Sequence, residues 1–144
     1  CLGGNWSLHE RDFQPSGLWY RGFLFTEEIP GVENLLTIAY AAKKDKTKQQ
    51  QLFQSAYRAG LEARNLLSRG VFHSDLHVGN VLIDNKGAVY LIDFDKARHF
   101  TPGTWDQSYP GKLLQRWEKS VLKHNIPYGA YDEFSNGLFA RGQV

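Results

Sequence analysis

The sequence predicts an α+β fold that is mainly helical and carries its polar cluster around one short β-hairpin. Three observations lead there. Leu52, Phe53, Ala56, Tyr57, Gly60, Leu61, Leu66 and Leu67 recur at three- and four-residue steps, the stripe of a helix with one buried face. Leu113, Leu114, Trp117, Val121 and Leu122 repeat that spacing in a second helix over about 112–124. Between the two, Val81–Asp84 and Ala88–Ile92 are short β-prone runs joined by Asn85-Lys86-Gly87, a hairpin turn.

The remaining elements follow in chain order. Residues 1–17 are polar and spotted with glycine, and their pattern assigns no element. Leu18–Thr26 is aromatic-rich and strand-like, and Pro30-Gly31 closes the segment that follows it. If its partner strands belong to a lobe of a longer parent fold, that strand is expected to leave an aromatic edge, Trp19, Tyr20, Phe23 and Phe25, without a backbone partner. Residues 32–42 read as a short apolar helix and 43–48 as a charged loop. Thr47 with Gln50 fits a capping box for the first long helix, and Gly70 stands where a helix-ending glycine belongs. A loop with Pro102, Gly103, Pro110 and Gly111 precedes the second, and one more helix is expected near 131–138.

At 144 residues the chain is of single-domain size, and its nine Phe, seven Tyr and four Trp suffice for a packed core. Seventeen basic against fifteen acidic side chains leave +2, too near balance to imply the basic footprint of a nucleic-acid binder. The longest apolar run, Leu35–Ala42, is far short of the ~20 residues of a membrane-spanning helix. Cys1 is the only cysteine, so no intrachain disulfide can form and a reducing compartment is the default.

The chemistry is concentrated in His73-Ser74-Asp75-Leu76-His77-Val78-Gly79-Asn80, the hairpin, and Ile92-Asp93-Phe94-Asp95. Phosphoryl transfer needs a carboxylate facing the acceptor hydroxyl, with an amide oxygen and a second carboxylate holding Mg²⁺ on the nucleotide phosphates. Protein-kinase-like folds supply these as H-x-D-x-x-x-x-N, a hairpin and Asp-Phe. His73, Asp75, Asn80, Asp93 and Phe94 match in order, spacing and intervening hairpin. The chain is therefore expected to form mainly the hinge and helical C-lobe of that fold, divided as 1–17 and 18–144. His73 and His77 do not make a zinc pair, because the metalloprotease form puts Glu, not Ser74, at the second position of a helix.

Ser74 and Asp95 stand where classical protein kinases have Arg and Gly. The segments His73–Leu82 and Leu91–Arg98, with Leu24–Gly31 and Leu114–Leu122, resemble the lipopolysaccharide kinase family over about 18–140, closest to its members acting on 3-deoxy-D-manno-octulosonic acid (Kdo). The resemblance implies ATP and Mg²⁺ as cofactors, and as acceptor a Kdo hydroxyl of a lipid A precursor, at the cytoplasmic face of the bacterial inner membrane as a peripheral protein. Carried over by residue, Asp75 is the catalytic base and His73 its brace, Asn80 and Asp93 ligate Mg²⁺, the backbone of Glu27 and Ile29 holds the adenine edge, and Leu82 lies beneath the ring. Lys96 and Arg98 would meet an anionic acceptor, or stand as solvated cations. Lys112, Arg116, Lys119 and Lys123 form the wet face of the late helix or meet a membrane or phosphosugar.

Gly3-Gly4 does not make a Gly-rich phosphate loop, and the first lysine, Lys43, falls after the hinge. With no methionine in the chain, the expectation is the C-terminal piece of a longer protein, inactive alone. Two rival readings stay open. One is a heptose kinase or an aminoglycoside- or choline-type phosphotransferase, separable by acceptor competition; the other is a non-catalytic pseudokinase, separable by Mg²⁺-dependent nucleotide binding.

Overall fold

In the computed structural model the backbone is described at 6–13 and 20–27, and residues 29–104 and 106–140 are described in full. The chain forms two compact units, 1–31 and 32–144. The boundary at Gly31 marks the end of the first compact unit. Its cause is strand pairing: β1 (Trp6–Phe13) runs antiparallel to β2 (Tyr20–Glu27), with Trp6 opposite Glu27 and Phe13 opposite Tyr20. A strand therefore lies in the segment that sequence left unassigned, and β2 has a ladder partner along its length. The expected edge without a partner is thus corrected; Trp19 and the side chains of Tyr20, Phe23 and Phe25 lie outside the described residues.

The second unit opens with β3 (Val32–Asn34), which passes directly into α1 (Leu35–Ala42). Asn34 caps that helix, its side-chain oxygen accepting the Leu36 N–H at 2.9 Å. The expected helix over 32–42 is thus shorter by one strand. That strand pairs with β5 (Val81–Asp84), which pairs in turn with β6 (Val89–Leu91), so the predicted hairpin is two-thirds of a three-stranded sheet. The hairpin turn is tightened by Asp84, whose Oδ1 accepts the N–H groups of Lys86 and Ala88, both at 2.8 Å.

The long helix α2 (Lys46–Ser68) begins two residues earlier than the Thr47 capping box supposes. Asp45 is the cap, accepting from Thr47 and Lys48, because a carboxylate just before the first helical residue reaches the free N–H groups first. β4 (Val71–Phe72) follows and pairs with β7 (Arg98–His99) across the site segment. Then come α3 (Tyr109–Lys123), with Pro110 in its first turn, and α4 (Gly129–Leu138).

The core lies where α1, α2, α3 and α4 meet the sheet. Leu35, Ile38, Leu52, Ala56, Ala59, Leu76, Val78, Val81, Leu113, Trp117, Ala130 and Phe134 are all fully enclosed. Trp117 stacks on Phe134, ring centres 4.1 Å apart, and its indole N–H donates to the Ala130 carbonyl at 3.1 Å. That bond satisfies the only polar atom of the largest core side chain.

Helices α2 and α4 cross backbone to backbone. A Cβ on Gly137 would collide with the Tyr57 carbonyl, and one on Gly60 with the Phe134 carbonyl. Helix propensity alone favours alanine over glycine by ~1 kcal/mol. Here the steric term wins, since neither carbonyl can yield without moving a helix. Gly137→Ala is expected to destabilise the chain by ~1–3 kcal/mol, read as a lower urea midpoint at unchanged slope. A higher midpoint would mean that the helices separate freely.

Candidate active site

The segment between β4 and β5 is a loop closed by its own hydrogen bonds. Leu76 N–H returns to the His73 carbonyl at 3.3 Å, and Asn80 N–H to His77 at 2.9 Å, where Val78–Asn80 makes one 3-10 turn. The His77 ring caps that turn, Nδ1 accepting the Gly79 N–H at 3.1 Å. Asn34 Nδ2 donates to the Gly79 carbonyl at 2.8 Å, so the residue that caps α1 also pins this loop.

His73 is buried, and its Nε2 lies 2.9 Å from the Ile92 carbonyl. A carbonyl only accepts, so Nε2 carries the proton and Nδ1 is left without a partner. Ile92 N–H donates back to the Asn80 carbonyl at 3.1 Å. The residue just before Asp93 is therefore held by both ends of the loop. Asn80, also buried, donates its Nδ2 to the Asp75 carbonyl at 3.0 Å, which leaves its Oδ1 as the free acceptor end. One network thus joins His73, Asp75, Asn80 and the backbone leading into Asp93.

Asp93 itself is solvent-exposed and takes a left-handed backbone, φ 63° and ψ 63°. A non-glycine residue held there is uncommon and typical of functional sites. Phe94 lies against His73, ring centres 4.6 Å apart, and opens the 3-10 turn Phe94–Lys96. Ser74 fastens that turn, its hydroxyl donating to the Lys96 carbonyl at 2.6 Å. The departure from Arg at position 74 therefore has a structural use.

Both oxygens of Asp75 are engaged. Lys96 Nζ is 2.8 Å from Oδ2 and Arg116 Nε is 2.8 Å from Oδ1. These hydrogen bonds, Lys96's first and Arg116's second, hold the carboxyl well below its ordinary 3.8, at about 2. Burial, and then the positive charge of Arg116, lowers the His77 ring below its ordinary range.

The sign of the resulting pH dependence is fixed by the depressed carboxyl. The stability it contributes is complete above about pH 4, the ordinary carboxylate range, and is lost as pH falls toward about 2. Thermal melts at pH 5 and 2.5 are expected to show a shallower acid decline in Asp75→Asn than in the parent. Equal declines would show that the clamp adds nothing to folding.

The structure brings Asp75, His73, Asn80 and the Ile92 backbone leading into Asp93 together. Lys96 meets Asp75 rather than standing free, and Arg98 is exposed on β7. Leu82 is half-buried on β5, on the face opposite the enclosed Val81 and Ile83. Glu27 and Ile29 belong to the first unit, Glu27 as the last residue of β2. Sequence reasoning missed Arg116, which it placed on a wet helix face. The signal was present: Arg116 is three residues after Leu113 and one before Trp117, both buried, so it borders the buried stripe.

The donor set suits Mg²⁺, a hard cation taken by oxygen ligands: the oriented Asn80 Oδ1 and the exposed Asp93 carboxylate. Among the described residues no group of three or more His, Cys, Asp or Glu side chains forms a cage of its own. Two protein oxygens are the share that phosphate-bound Mg²⁺ usually takes from a protein. A catalytic-loop Asp and Asn, a hairpin and an Asp-Phe turn on a helical lobe define the protein-kinase-like fold.

Comparison with known proteins narrows the class. The lipopolysaccharide kinase (Kdo/WaaP) family matches residues 11–137, and the chain belongs to that family. It is 34% identical over 117 residues to a 3-deoxy-D-manno-octulosonic acid kinase of Vibrio parahaemolyticus, and 32% over 114 residues to one of Vibrio cholerae. These alignments cover 81% and 78% of this chain but 46% and 45% of the relatives, so the chain spans about half their length. A solved structure of WaaP in complex with acyl carrier protein superposes with a TM-score of 0.67 at 17% identity, covering 96% of this chain and 60% of that one. That likeness supports the α+β, kinase-like fold.

Proposed function

We propose that this chain carries the hinge and C-lobe, 18–144, of an ATP-dependent phosphotransferase. Its acceptor in this reading is a Kdo hydroxyl on a lipid A precursor. The observation that carries the proposal is the single network joining the Asp75 loop, Asn80 and the backbone of Ile92, the residue before Asp93. Relatives named Kdo kinase at 30–34% identity support the choice of acceptor.

In this reading Asp75 accepts a hydrogen bond from the acceptor hydroxyl and, late in transfer, its proton. A carboxyl at about 2 is a weak base at rest, which suits a loose transition state in which positioning outweighs early deprotonation. His73 braces the loop through Ile92. Asn80 and Asp93 would hold Mg²⁺, which when bound neutralises and orients the ATP phosphates. The backbone of Glu27 and Ile29 receives the adenine edge, Leu82 lies beneath the ring, and Arg98 faces the anionic acceptor.

The working place in this proposal is the cytoplasmic face of the inner membrane, with the protein peripheral to it. Among the described residues no helix is long and apolar enough to cross a membrane. The exposed Lys112, Lys119 and Lys123 of α3 are the cations available to an anionic surface.

The test is transfer from γ-labelled ATP by the full-length protein, offered Kdo–lipid A precursor, heptosylated core or kanamycin. Label in the Kdo precursor is the expected result. Label only in heptose or in kanamycin would replace the acceptor, and Mg²⁺-insensitive nucleotide binding without transfer would replace the enzyme by a binding module.

A further inference from the structure

The two cations on Asp75 differ in how firmly they are held. Arg116 projects from α3 between the buried Leu113 and Ser120, beside the fully enclosed Trp117. Its side chain is 36% exposed, and the contact to Oδ1 runs through Nε, the guanidinium nitrogen nearest the stem. Reach and direction are therefore set by the helix. Lys96 comes from a 3-10 turn, is 71% exposed, and meets Oδ2 with a freely rotating ammonium. An exposed ion pair of that kind is weak and readily exchanged. The Asp75 side chain is only 19% exposed and each of its oxygens already holds a cation, so the more exposed of the two is the one an incoming hydroxyl can replace most readily.

Resting on the phosphotransferase reading above, we propose that Arg116 is the positioning residue that aims Asp75, and that Lys96 is the partner the acceptor hydroxyl displaces from Oδ2. Arg116 stays on Oδ1 throughout and fixes the plane of the carboxylate. Lys96, once released, keeps its charge beside the site and is available to the transferring phosphoryl group or an anionic acceptor. No bond is made or broken by either cation. The division of labour follows from one being anchored in a packed helix and the other being tethered by a solvated stem.

The test compares Arg116→Gln, Arg116→Lys, Arg116→Ala, Lys96→Gln and Asp75→Asn in the full-length protein, by steady-state kinetics and by proton–nitrogen NMR of arginine side chains. Arg116→Gln is expected to lower kcat by about 10–100-fold, with the KM for ATP changed by less than about twofold, because aim is lost and nucleotide binding is not. Arg116→Lys is expected to fail to restore kcat, since a lysine has no planar Nε–H, whereas added guanidinium is expected to restore part of it in Arg116→Ala. Lys96→Gln is expected to act chiefly on the KM of the acceptor. In the NMR spectrum of the parent, the Arg116 Nε–H signal is expected to be protected from exchange and to lose that protection in Asp75→Asn.

Equal losses of kcat from Arg116→Gln and Lys96→Gln would overturn the division of labour, as would full activity in Arg116→Gln. An Nε–H signal indifferent to Asp75→Asn would overturn the clamp itself. A parent protein that transfers no phosphate while showing that Asp75-dependent signal would sink the phosphotransferase reading alone and leave the Arg116 clamp standing.

Discussion

Asp75→Asn in the full-length protein is expected to lower kcat by about 10²–10⁴-fold while ATP affinity stays within about twofold. The substitution preserves shape and the backbone carbonyl that receives the Asn80 amide at 3.0 Å, so the loop keeps its fold. What it removes is charge. The neutral amide cannot take the hydroxyl's proton, and its NH2 end, a donor, can no longer accept from one of the two cations, Lys96 or Arg116, that each stand 2.8 Å from the carboxylate. Nucleotide contacts assigned to Asn80, Asp93 and Leu82 are untouched. Steady-state kinetics paired with calorimetric ATP binding separates the two quantities. A variant keeping more than about half of the parent's turnover would remove Asp75 from the role.

Asp93→Ala is expected to act on binding first. Asp93 is the exposed carboxylate next to Ile92, whose N–H and carbonyl are tied to Asn80 and His73. Deleting it takes one of two protein oxygens from the Mg²⁺ site, so phosphate charge goes uncompensated and the γ-phosphoryl loses its alignment. Mg²⁺-dependent ATP affinity is expected to fall by about 10-fold or more, with the residual binding indifferent to the metal. Turnover falls with it. Alanine also tolerates the left-handed backbone at φ 63° less well than aspartate does. Asp93→Asn, which keeps the backbone preference and loses only the charge, therefore serves as the control. Mg²⁺ titrations unchanged in both variants would make Asp93 a structural turn residue.

The parts of the site legible in sequence are those carried by short-range pattern. Helices α2 and α3 announce themselves by the spacing of Leu52, Ala56 and Gly60 and of Leu113 and Trp117. The hairpin does so by two β-prone runs around Asn85-Lys86-Gly87. His73, Asp75, Asn80 and Asp93 are recognisable because a loop of fixed length, a hairpin and an Asp-Phe turn constrain them jointly. Helix starts were less legible. Asp45 and Thr47 are both good caps, and only the path of the chain chooses between them.

Sequence by itself determined the long helices, the hairpin, the order of the site residues and the family likeness, because dihedral preference and hydrophobic period act within a few residues of one another. Tertiary structure alone decided what converges on those residues. Arg116 reaches Asp75 across 41 positions and Asn34 reaches Gly79 across 45, and no local preference encodes either meeting. The same holds for β3 joining the hairpin, where Val32 pairs with Asp84 far along the chain. Such contacts depend on where packed helices and strands leave their side chains, and that is settled by burial of the core around Trp117 and Phe134 rather than by the residues that make the contact.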